Sequence, residues 1–444
     1  MMTQFKIMKF GGTSVGKPER MRQVSQLITA DKDNKIVVLS ALSGTTNALV
    51  EIGNAIATGQ RDQAGELISR LQKHYDTFIT DLVHQQPFLE KARSIVAEHF
   101  DFLHIILRIS FSEALNKDIL AQGELLSTKL FSVYLEENKI PHILLPALEF
   151  MSIDDHDEPQ INSIKTKLTH LLQQHKENNL YITQGYICRN ARGEVDNLKR
   201  GGSDYSASLI AAAINASVCE IWTDIDGMHN NDPRVVRKTV AIDQLSFEEA
   251  AELAYFGAKI LHPASIWPAQ FYKVPVRLLN TMQPEAKGTL ITEEAGSTGV
   301  KAIAAKDGII AINVRSSRML LAYGFLRKIF EIFEKYRTPI DMITTSEVAV
   351  SLTIESAAEL RNITRELEPF GSIEVEDNHT IVSIVGNEIA QTPRVLSLLF
   401  ESLDTIPIRM VSYGGSRHNV SLLIPSTHKT ETLQRLNKGL FGLE

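Results

Sequence analysis

Phe5-Lys6-Ile7-Met8-Lys9-Phe10-Gly11-Gly12-Thr13-Ser14-Val15-Gly16-Lys17-Pro18 reads as a short buried strand that runs through two glycines toward a helix. Pro18 suits the first turn of that helix, and Lys35-Ile36-Val37-Val38-Leu39-Ser40 supplies a second strand ending in the small polar loop Ser43–Asn47. Strand, glycine turn, helix, strand is the rhythm of a mostly parallel α/β sheet. The stretch also nearly matches the nucleotide-loop pattern G-x-x-x-x-G-K-[ST]. Pro18 occupies the last position, and proline has no hydroxyl to offer a metal ion, so that reading is rejected. What survives is the physics of an anion cradle: bare glycine amides after a strand, facing a helix N-terminus, with Lys9 in reach. Taken alone, the same pattern is equally a tight turn.

Outward from this stretch, Gly65 to Gly123 encloses no other glycine and only Pro87. Ile68, Leu71, Tyr75, Phe78 and Leu82 recur there at helical spacing, which predicts a block of helices packing a core or a lid. The α/β rhythm returns with Tyr181–Ile187. The turn Arg200-Gly201-Gly202-Ser203-Asp204 then opens a helix over Tyr205–Asn215, and Val218–Asp224 is another strand. Glu293–Gly299 reads as a linker.

Beyond the linker the sequence repeats. Pro339-Ile340-Asp341-Met342 followed by Val350–Ile354 recurs as Pro407-Ile408-Arg409-Met410 followed by Val420–Ile424, each framed by amphipathic helices in a β-α-β-β-α order. The first copy ends in a strand at Ser372–Glu376; the second lacks one, and the spare strand Val300–Ala305 stands ready to complete it. The expected division is residues 1–296 for one α/β domain and 297–444 for two interleaved small ones. The first of these spans about 307–377, inserted into a second built from about 297–306 plus 380–444.

Composition sets the outer bounds. At about 150 residues per domain, 444 residues allow about three domains. Lys plus Arg is 46 against 53 Asp plus Glu, a formal charge of −7, which argues against nucleic acid or an anionic membrane as partner. Cys188 and Cys219 form no C-x-x-C pair, so neither a disulfide framework nor a zinc site is expected. The N-terminus lacks a signal peptide's apolar stretch and no run approaches about 18 apolar residues; a cytoplasmic protein is expected.

Lys9-Phe10-Gly11-Gly12-Thr13-Ser14 strongly resembles the opening of aspartate kinases, in the amino-acid kinase superfamily. The resemblance continues in order through Arg200–Tyr205, Trp222-Thr223-Asp224, Asp232-Pro233-Arg234-Val235-Val236 and Glu252–Pro263. In the tail, Ile343-Thr344-Thr345-Ser346-Glu347 and the repeat are similar to the tandem ACT domains of these enzymes, most of all the monofunctional lysine-sensitive type. The resemblance implies a carbamate-kinase-like α/β fold followed by two ferredoxin-like α+β ACT domains. It implies transfer of the ATP γ-phosphoryl group, with Mg2+ arriving on ATP, to the β-carboxylate of L-aspartate, the first step toward lysine, threonine and methionine. It further implies lysine as an effector at the ACT domains and a homo-oligomer, dimer or tetramer, formed through them.

Residue by residue, the resemblance places Lys9, Asp204 and Lys259 in catalysis. Lys9 would neutralise the transferring group, Gly11 and Gly12 would supply amides, and Asp204 would orient the lysines or the metal-bound phosphates. Thr223, Asp224, His229, Arg234, Lys259 and Ile260 would line the nucleotide. Arg200 is suited to grip the α-carboxylate of aspartate through a two-pronged contact, and Glu124 to accept its α-ammonium. Ser40, Thr45 and Ser203 would add hydroxyls. Met319, Gly324, Phe325, Leu326, Thr345 and Ser346 would hold the effector.

Plainer readings stand beside these. Asp204 also suits a helix cap, Thr223 and Asp224 a strand-end turn, Glu124 a solvated helix face, and Lys259 a snorkelling side chain; His262, before a proline, reads as structural. Two departures qualify the resemblance. Asp226 and His229 replace a Pro and a Tyr typical of the nearest relatives, and Leu321, Ala322 and Tyr323 replace polar residues before Gly324. The alternatives are another superfamily member, such as a glutamate kinase-like enzyme, and a non-catalytic amino-acid sensor that uses the ACT domains alone.

Overall fold

The computed structural model describes residues 4–198, 201–257, 263–294, 296–319 and 323–443. Chain contacts divide it into two compact units, residues 1–228 with 261–293, and residues 229–260 with 294–444.

The first unit is built on β1 (Phe5–Phe10), β2 (Asn34–Leu39), β3 (Ile143–Leu145), β4 (Leu180–Gln184), β5 (Val218–Thr223), β6 (Val276–Asn280) and β7 (Thr289–Thr292). They lie in the order β3-β4-β2-β1-β5-β6-β7, with β1 at the centre. Every neighbouring pair is parallel except β6 with β7. Parallel strands are covered on both faces. Ile7, Phe10, Ile36, Val37, Val38 and Ile182 are accordingly buried apolar runs.

Around the sheet stand α1 (Pro18–Ile28), α2 (Thr45–Ala57), α3 (Arg61–Leu82), α4 (Gln86–Ile106), α5 (Glu113–Glu137) and α6 (Gly202–Ile214). The glycine-free block is α3 to α5, as the spacing predicts. Its core joins Ile68, Tyr75 and Phe78 to Phe100, Leu103 and Phe131. The expected helix over Tyr205–Asn215 starts earlier. Gly201, with φ of +68°, turns the chain at its N-cap, and Asn215, at φ of +50°, closes it. A left-handed turn at glycine carries little steric cost, so the helix gains Gly202, Ser203 and Asp204.

The second unit carries α7 (Phe247–Tyr255) and a six-stranded antiparallel sheet. Its strands are β8 (Gly299–Arg315), β9 (Ile343–Thr345), β10 (Ala349–Ile354), β11 (Ser372–Asn387), β12 (Met410–Tyr413) and β13 (Asn419–Pro425), ordered β9-β10-β8-β11-β13-β12. The spare strand is the first half of one long strand. Residues Gly299 to Lys306 of β8 pair with Asn387 to Ile381 of β11. After a bulged stretch, Ala311 to Arg315 pair with Glu376 to Ser372 and also with β10. Two separate cores result. One packs Ile312, Val314 and Leu352 under α8 (Phe325–Lys335) and α9 (Leu360–Leu367). The other packs Val382, Ile384 and Leu422 under α10 (Val395–Ser402) and α11 (Lys429–Phe441).

Helix α7 is stitched to this sheet. Its N-cap is a capping box, Ser246 with Glu249. The fully buried Glu249 carboxylate takes a 2.8 Å ion pair from Lys301, whose side chain is 8% exposed. Asn419 donates to Glu252 at 3.0 Å, and the Tyr255 hydroxyl donates to Asp341 at 3.0 Å beside Lys306. Stranding a buried charge costs about 3–5 kcal/mol. Lys301→Met is therefore expected to lower the urea-unfolding stability of this unit by that amount, whereas Lys301→Met with Glu249→Gln, which keeps the cap and strands no charge, costs clearly less.

Among the described residues no helix is long and apolar enough to cross a membrane. Cys188 and Cys219 are buried free thiols, and burial pushes the Cys188 thiol up to about 12.

Candidate active site

The C-terminal ends of β1 and β2 face the N-termini of α2 and α6, so unpaired helix amides and positive dipole ends gather there. Lys9 is the penultimate residue of β1. Its ammonium lies 2.7 Å from an Asp204 carboxylate oxygen on α6, both side chains being largely buried. Gly11 makes room for it: a Cβ at residue 11 would stand 3.2 Å from Lys9 Nζ. Gly12 and Gly16 let the loop after β1 press on the loop after β2, since Cβ atoms there would lie 3.0 Å from the Ala41 carbonyl and 2.6 Å from Ser43 Cβ. Asp204 is not the helix cap. Gly201 holds that position with no side-chain cap, and the Asp204 carboxylate turns to Lys9 instead.

Ser203 sits beside Asp204, and the Ser40 hydroxyl donates to its Oγ at 2.9 Å. Gly185, just after β4, makes room for Ser203: a Cβ there would stand 2.3 Å from Ser203 Cβ.

Glu124 projects from α5 toward the same loop. The Ala41 amide donates to its Oε1 at 3.3 Å, while Oε2 is buried with no hydrogen-bond partner. Burial pushes the carboxyl up to about 7, opposed only in part by the Ala41 amide. A solvated helix face is thus excluded: Glu124 is 3% exposed. Gly123 permits the approach, because a Cβ there would lie 2.8 Å from Ala41 Cβ. Thr45 begins α2, and its hydroxyl meets the Tyr75 hydroxyl at 3.0 Å inside the protein.

Sequence reasoning missed three neighbours. Tyr75 was legible only as a core position of a helix, since helical spacing says nothing about its hydroxyl. Tyr186 follows Gly185 with φ of +65°, and its amide donates to Ser206 Oγ at 2.7 Å. Burial, then the Glu124 charge, pushes its phenol up to about 12. Thr281 meets Ser14 at 2.7 Å, and its amide donates to the Thr223 carbonyl at 2.8 Å.

On the expected nucleotide side, Thr223 ends β5 and its hydroxyl donates to Asp224 at 3.1 Å. His229 and Arg234 belong to the second unit. There the His229 ring meets the Thr239 hydroxyl at 2.8 Å, and the exposed Arg234 guanidinium donates to both Asp232 oxygens, at 2.9 and 2.8 Å. Arg200, Lys259 and Ile260 lie outside the described residues, as do His262, Leu321 and Ala322.

Of the expected effector residues, Gly324 (φ +76°) caps α8, Phe325 is buried, and Leu326 packs against the core of the first repeat. Met319 lies in the short helical turn Ser317–Met319. Thr345 ends β9, and the Ser346 amide donates to the Ala349 carbonyl at 2.8 Å. Tyr323 is fully exposed.

Among the described residues no three His, Cys, Asp or Glu side chains cluster as a metal-binding group. The first unit's carboxylates at Asp204 and Asp224 and its hydroxyls are hard oxygen donors, suited to a divalent cation carried on phosphates.

Residues 4–280 match the amino acid kinase family, and residues 382–440 match the ACT domain. The chain is 32% identical to the lysine-sensitive aspartokinase 3 of Escherichia coli, across 99% of this chain and 100% of that one. The solved structure of E. coli aspartokinase III in complex with aspartate and ADP (R-state) aligns with a TM-score of 0.83, covering 99% of this chain and 100% of that one at 32% identity. Its complex with lysine and aspartate (T-state) aligns with a TM-score of 0.81 over 98% and 99%.

Proposed function

The chain belongs to the amino acid kinase family, among its aspartokinases, and we propose that it phosphorylates the β-carboxylate of L-aspartate with ATP, giving 4-phospho-L-aspartate and ADP. The observation that carries this substrate is Glu124, a buried carboxylate with one oxygen lacking a protein partner, held by the Ala41 amide next to Ser40, which in turn bonds Ser203, the neighbour of Asp204. An α-ammonium supplies the missing donor and the missing positive charge. Arg200 completes the grip on the amino acid by taking the α-carboxylate, and Ser40, Thr45 and Ser203 add hydroxyl contacts.

The acceptor needs no general base, because a carboxylate with a pKa of about 4 is already ionised at neutral pH. Its oxygen attacks the γ-phosphorus in line, and the bond to the β–γ bridging oxygen breaks, ADP leaving with the electron pair. The obstacle is bringing one anion onto another, so cations and amides placed in advance do the catalysis. Lys9 neutralises the transferring group, Gly11 and Gly12 contribute amides, and Asp204 holds the Lys9 ammonium in place. Thr223, Asp224, His229, Arg234, Lys259 and Ile260 line the nucleotide. ATP chemistry of this kind uses a divalent cation; we take it to be Mg2+, which spreads the phosphate charge when bound.

Residues 1–296 then form the catalytic domain and 297–444 the interleaved ACT pair. Lysine is the proposed effector, at Met319, Gly324, Phe325, Leu326, Thr345 and Ser346. A cytoplasmic homo-oligomer joined through the ACT domains completes the proposal. The names of the relatives, at 32% identity along nearly the whole chain, favour this over a glutamate kinase-like enzyme or a bare sensor.

A hydroxamate assay with ATP and Mg2+ is the direct test. Aspartate is expected to give acyl-phosphate and glutamate at most a trace, with millimolar lysine lowering the aspartate rate. Equal turnover of glutamate would refute the substrate assignment; an unchanged rate with lysine would refute the effector alone.

A further inference from the structure

The stretch from His229 to Ala241, which carries His229 and Arg234, is fastened to the last helix of the chain. A bridge between His229 and Ala241 closes it, and Val236 lies in the same apolar core as Leu433 and Leu436 of α11. The polar fastening centres on Asn437, which is 1% exposed. Its Oδ1 accepts from Asn230 Nδ2 at 3.1 Å and Asn231 Nδ2 at 3.4 Å. Its Nδ2 donates to the carbonyls of Lys238 at 3.0 Å and Leu443 at 3.2 Å. That uses the full capacity of a side-chain amide, two bonds accepted and two donated.

The network continues toward Arg234. Asn231 also donates to the Leu433 carbonyl at 3.0 Å, while its Oδ1 accepts the Asp232 amide at 2.9 Å. Asp232 in turn takes the Arg234 amide and both arms of its guanidinium. Asn230 is held as firmly: the Val240 amide donates to its Oδ1 at 2.7 Å, and the Ile303 amide of β8 donates to its carbonyl at 2.8 Å. Asn230 and Asn231 are both buried. A saturated buried network of this kind specifies one geometry, because opening any member leaves several groups unpaired at once.

We propose that Asn437 is a positioning residue for ATP: acting through Asn231 and Asp232, it fixes how Arg234 is presented, so the last helix of the chain serves the nucleotide half of the reaction. This rests on the assignment of Arg234 to the nucleotide in the function proposed above. It also gives the second repeat a task distinct from effector binding, that of scaffolding the nucleotide segment.

The test compares Asn437→Ala, Asn231→Ala and Arg234→Ala in steady-state kinetics of the full-length enzyme. Asn437→Ala and Asn231→Ala are each expected to raise the KM for ATP about tenfold, the scale of a misplaced contact. The KM for aspartate stays within about twofold and kcat at saturating ATP is largely kept. A lower melting temperature with an unchanged KM for ATP would show a structural role only and overturn the proposal. If Arg234→Ala itself leaves the KM for ATP unchanged, the nucleotide assignment falls first and the proposal with it. If Arg234→Ala is impaired while both asparagine variants are normal, only the positioning role falls.

A measurement on the unaltered enzyme covers the case in which the variants fail to fold. Coupling is reciprocal, so MgADP is expected to slow hydrogen exchange in peptides covering residues 230–241 and 433–443, and aspartate alone is not. Absence of MgADP protection at 433–443 would overturn the proposal.

Discussion

Lys9→Met is expected to lower kcat by about 10²–10³-fold, the range seen when one preorganised group facing the developing charge is removed. Methionine is close to lysine in volume and apolar, so it fills the buried place on the central strand, but it strands the largely buried Asp204 carboxylate and is expected to lower the melting temperature. What is lost is the positive charge 2.7 Å from Asp204. The KM for aspartate is expected to stay within about threefold, because the proposed role of Lys9 is toward the phosphoryl group and not the amino acid. Asp204→Asn removes the group that orients Lys9 and has a smaller effect. Combined with Lys9→Met it adds little, since two residues acting as a unit are not additive. Initial rates at saturating ATP and aspartate, with circular dichroism as the folding control, decide it. A variant retaining more than about a tenth of wild-type kcat would refute the assigned role.

Glu124→Gln is expected to change stability and substrate binding in opposite directions. Burial raises the Glu124 carboxyl from 4.5 to about 7 in the folded protein. The protonated form is therefore favoured by folding. The group imposes no cost below pH 4.5, the cost grows as pH rises toward about 7, and above that it is fully present. Glutamine, which never ionises, escapes it, so the ligand-free variant melts higher than wild type at pH 8, by an amount worth up to about 3 kcal/mol.

The same substitution removes the charge proposed to meet the α-ammonium. The KM for aspartate rises about a hundredfold, the loss of a buried charge-assisted contact. A pH series separates the effects. Wild-type KM for aspartate climbs as pH falls below about 7, up to about tenfold per unit, because a protonated Glu124 offers no charge. The Glu124→Gln variant is flat over that range. An unchanged KM for aspartate in the variant would remove Glu124 from the site.

Such a trade-off is expected of a residue that binds a cation in a buried site. Glu124 Oε2 is a buried acceptor with no donor from the protein, and a bound ammonium group would supply one. Nothing in Ala121-Gln122-Gly123-Glu124-Leu125 states that burial; a glutamate on a helix reads equally as a solvated one. Its environment arises because Gly123 lets α5 approach Ala41, which lies 83 positions before Glu124 in the chain.

Local chemistry made much of the molecule legible in advance. Apolar runs broken by glycine define parallel strands, helical spacing between Gly65 and Gly123 defines the helical block, and the duplicated Pro339 and Pro407 segments define the paired repeats. These are properties of neighbours along the chain, governed by backbone sterics and by which face must leave water. Local chemistry offers Lys9, Gly11 and Gly12 only as an anion cradle or a tight turn and Asp204 as a helix cap; what joins them as a set is the resemblance of their motifs to aspartate kinases.

Distances between remote residues were decided only by the tertiary structure. Lys9 and Asp204 are brought to 2.7 Å because β1 and β5 are adjacent and the left-handed turn at Gly201 starts α6 three residues earlier than propensity suggests. The spare strand and the one after it fuse into β8 because β11 is long enough to template both halves. Asn437 reads as an ordinary polar position near the end of an amphipathic helix, and its four bonds exist only once the 229–241 stretch folds onto α11. Sequence determines the elements and the chemical groups they carry, because those follow from short-range forces. Which groups meet, and how deeply they are buried, follows from packing of the whole chain, and so do the charge state of Glu124 and the anchoring of Arg234.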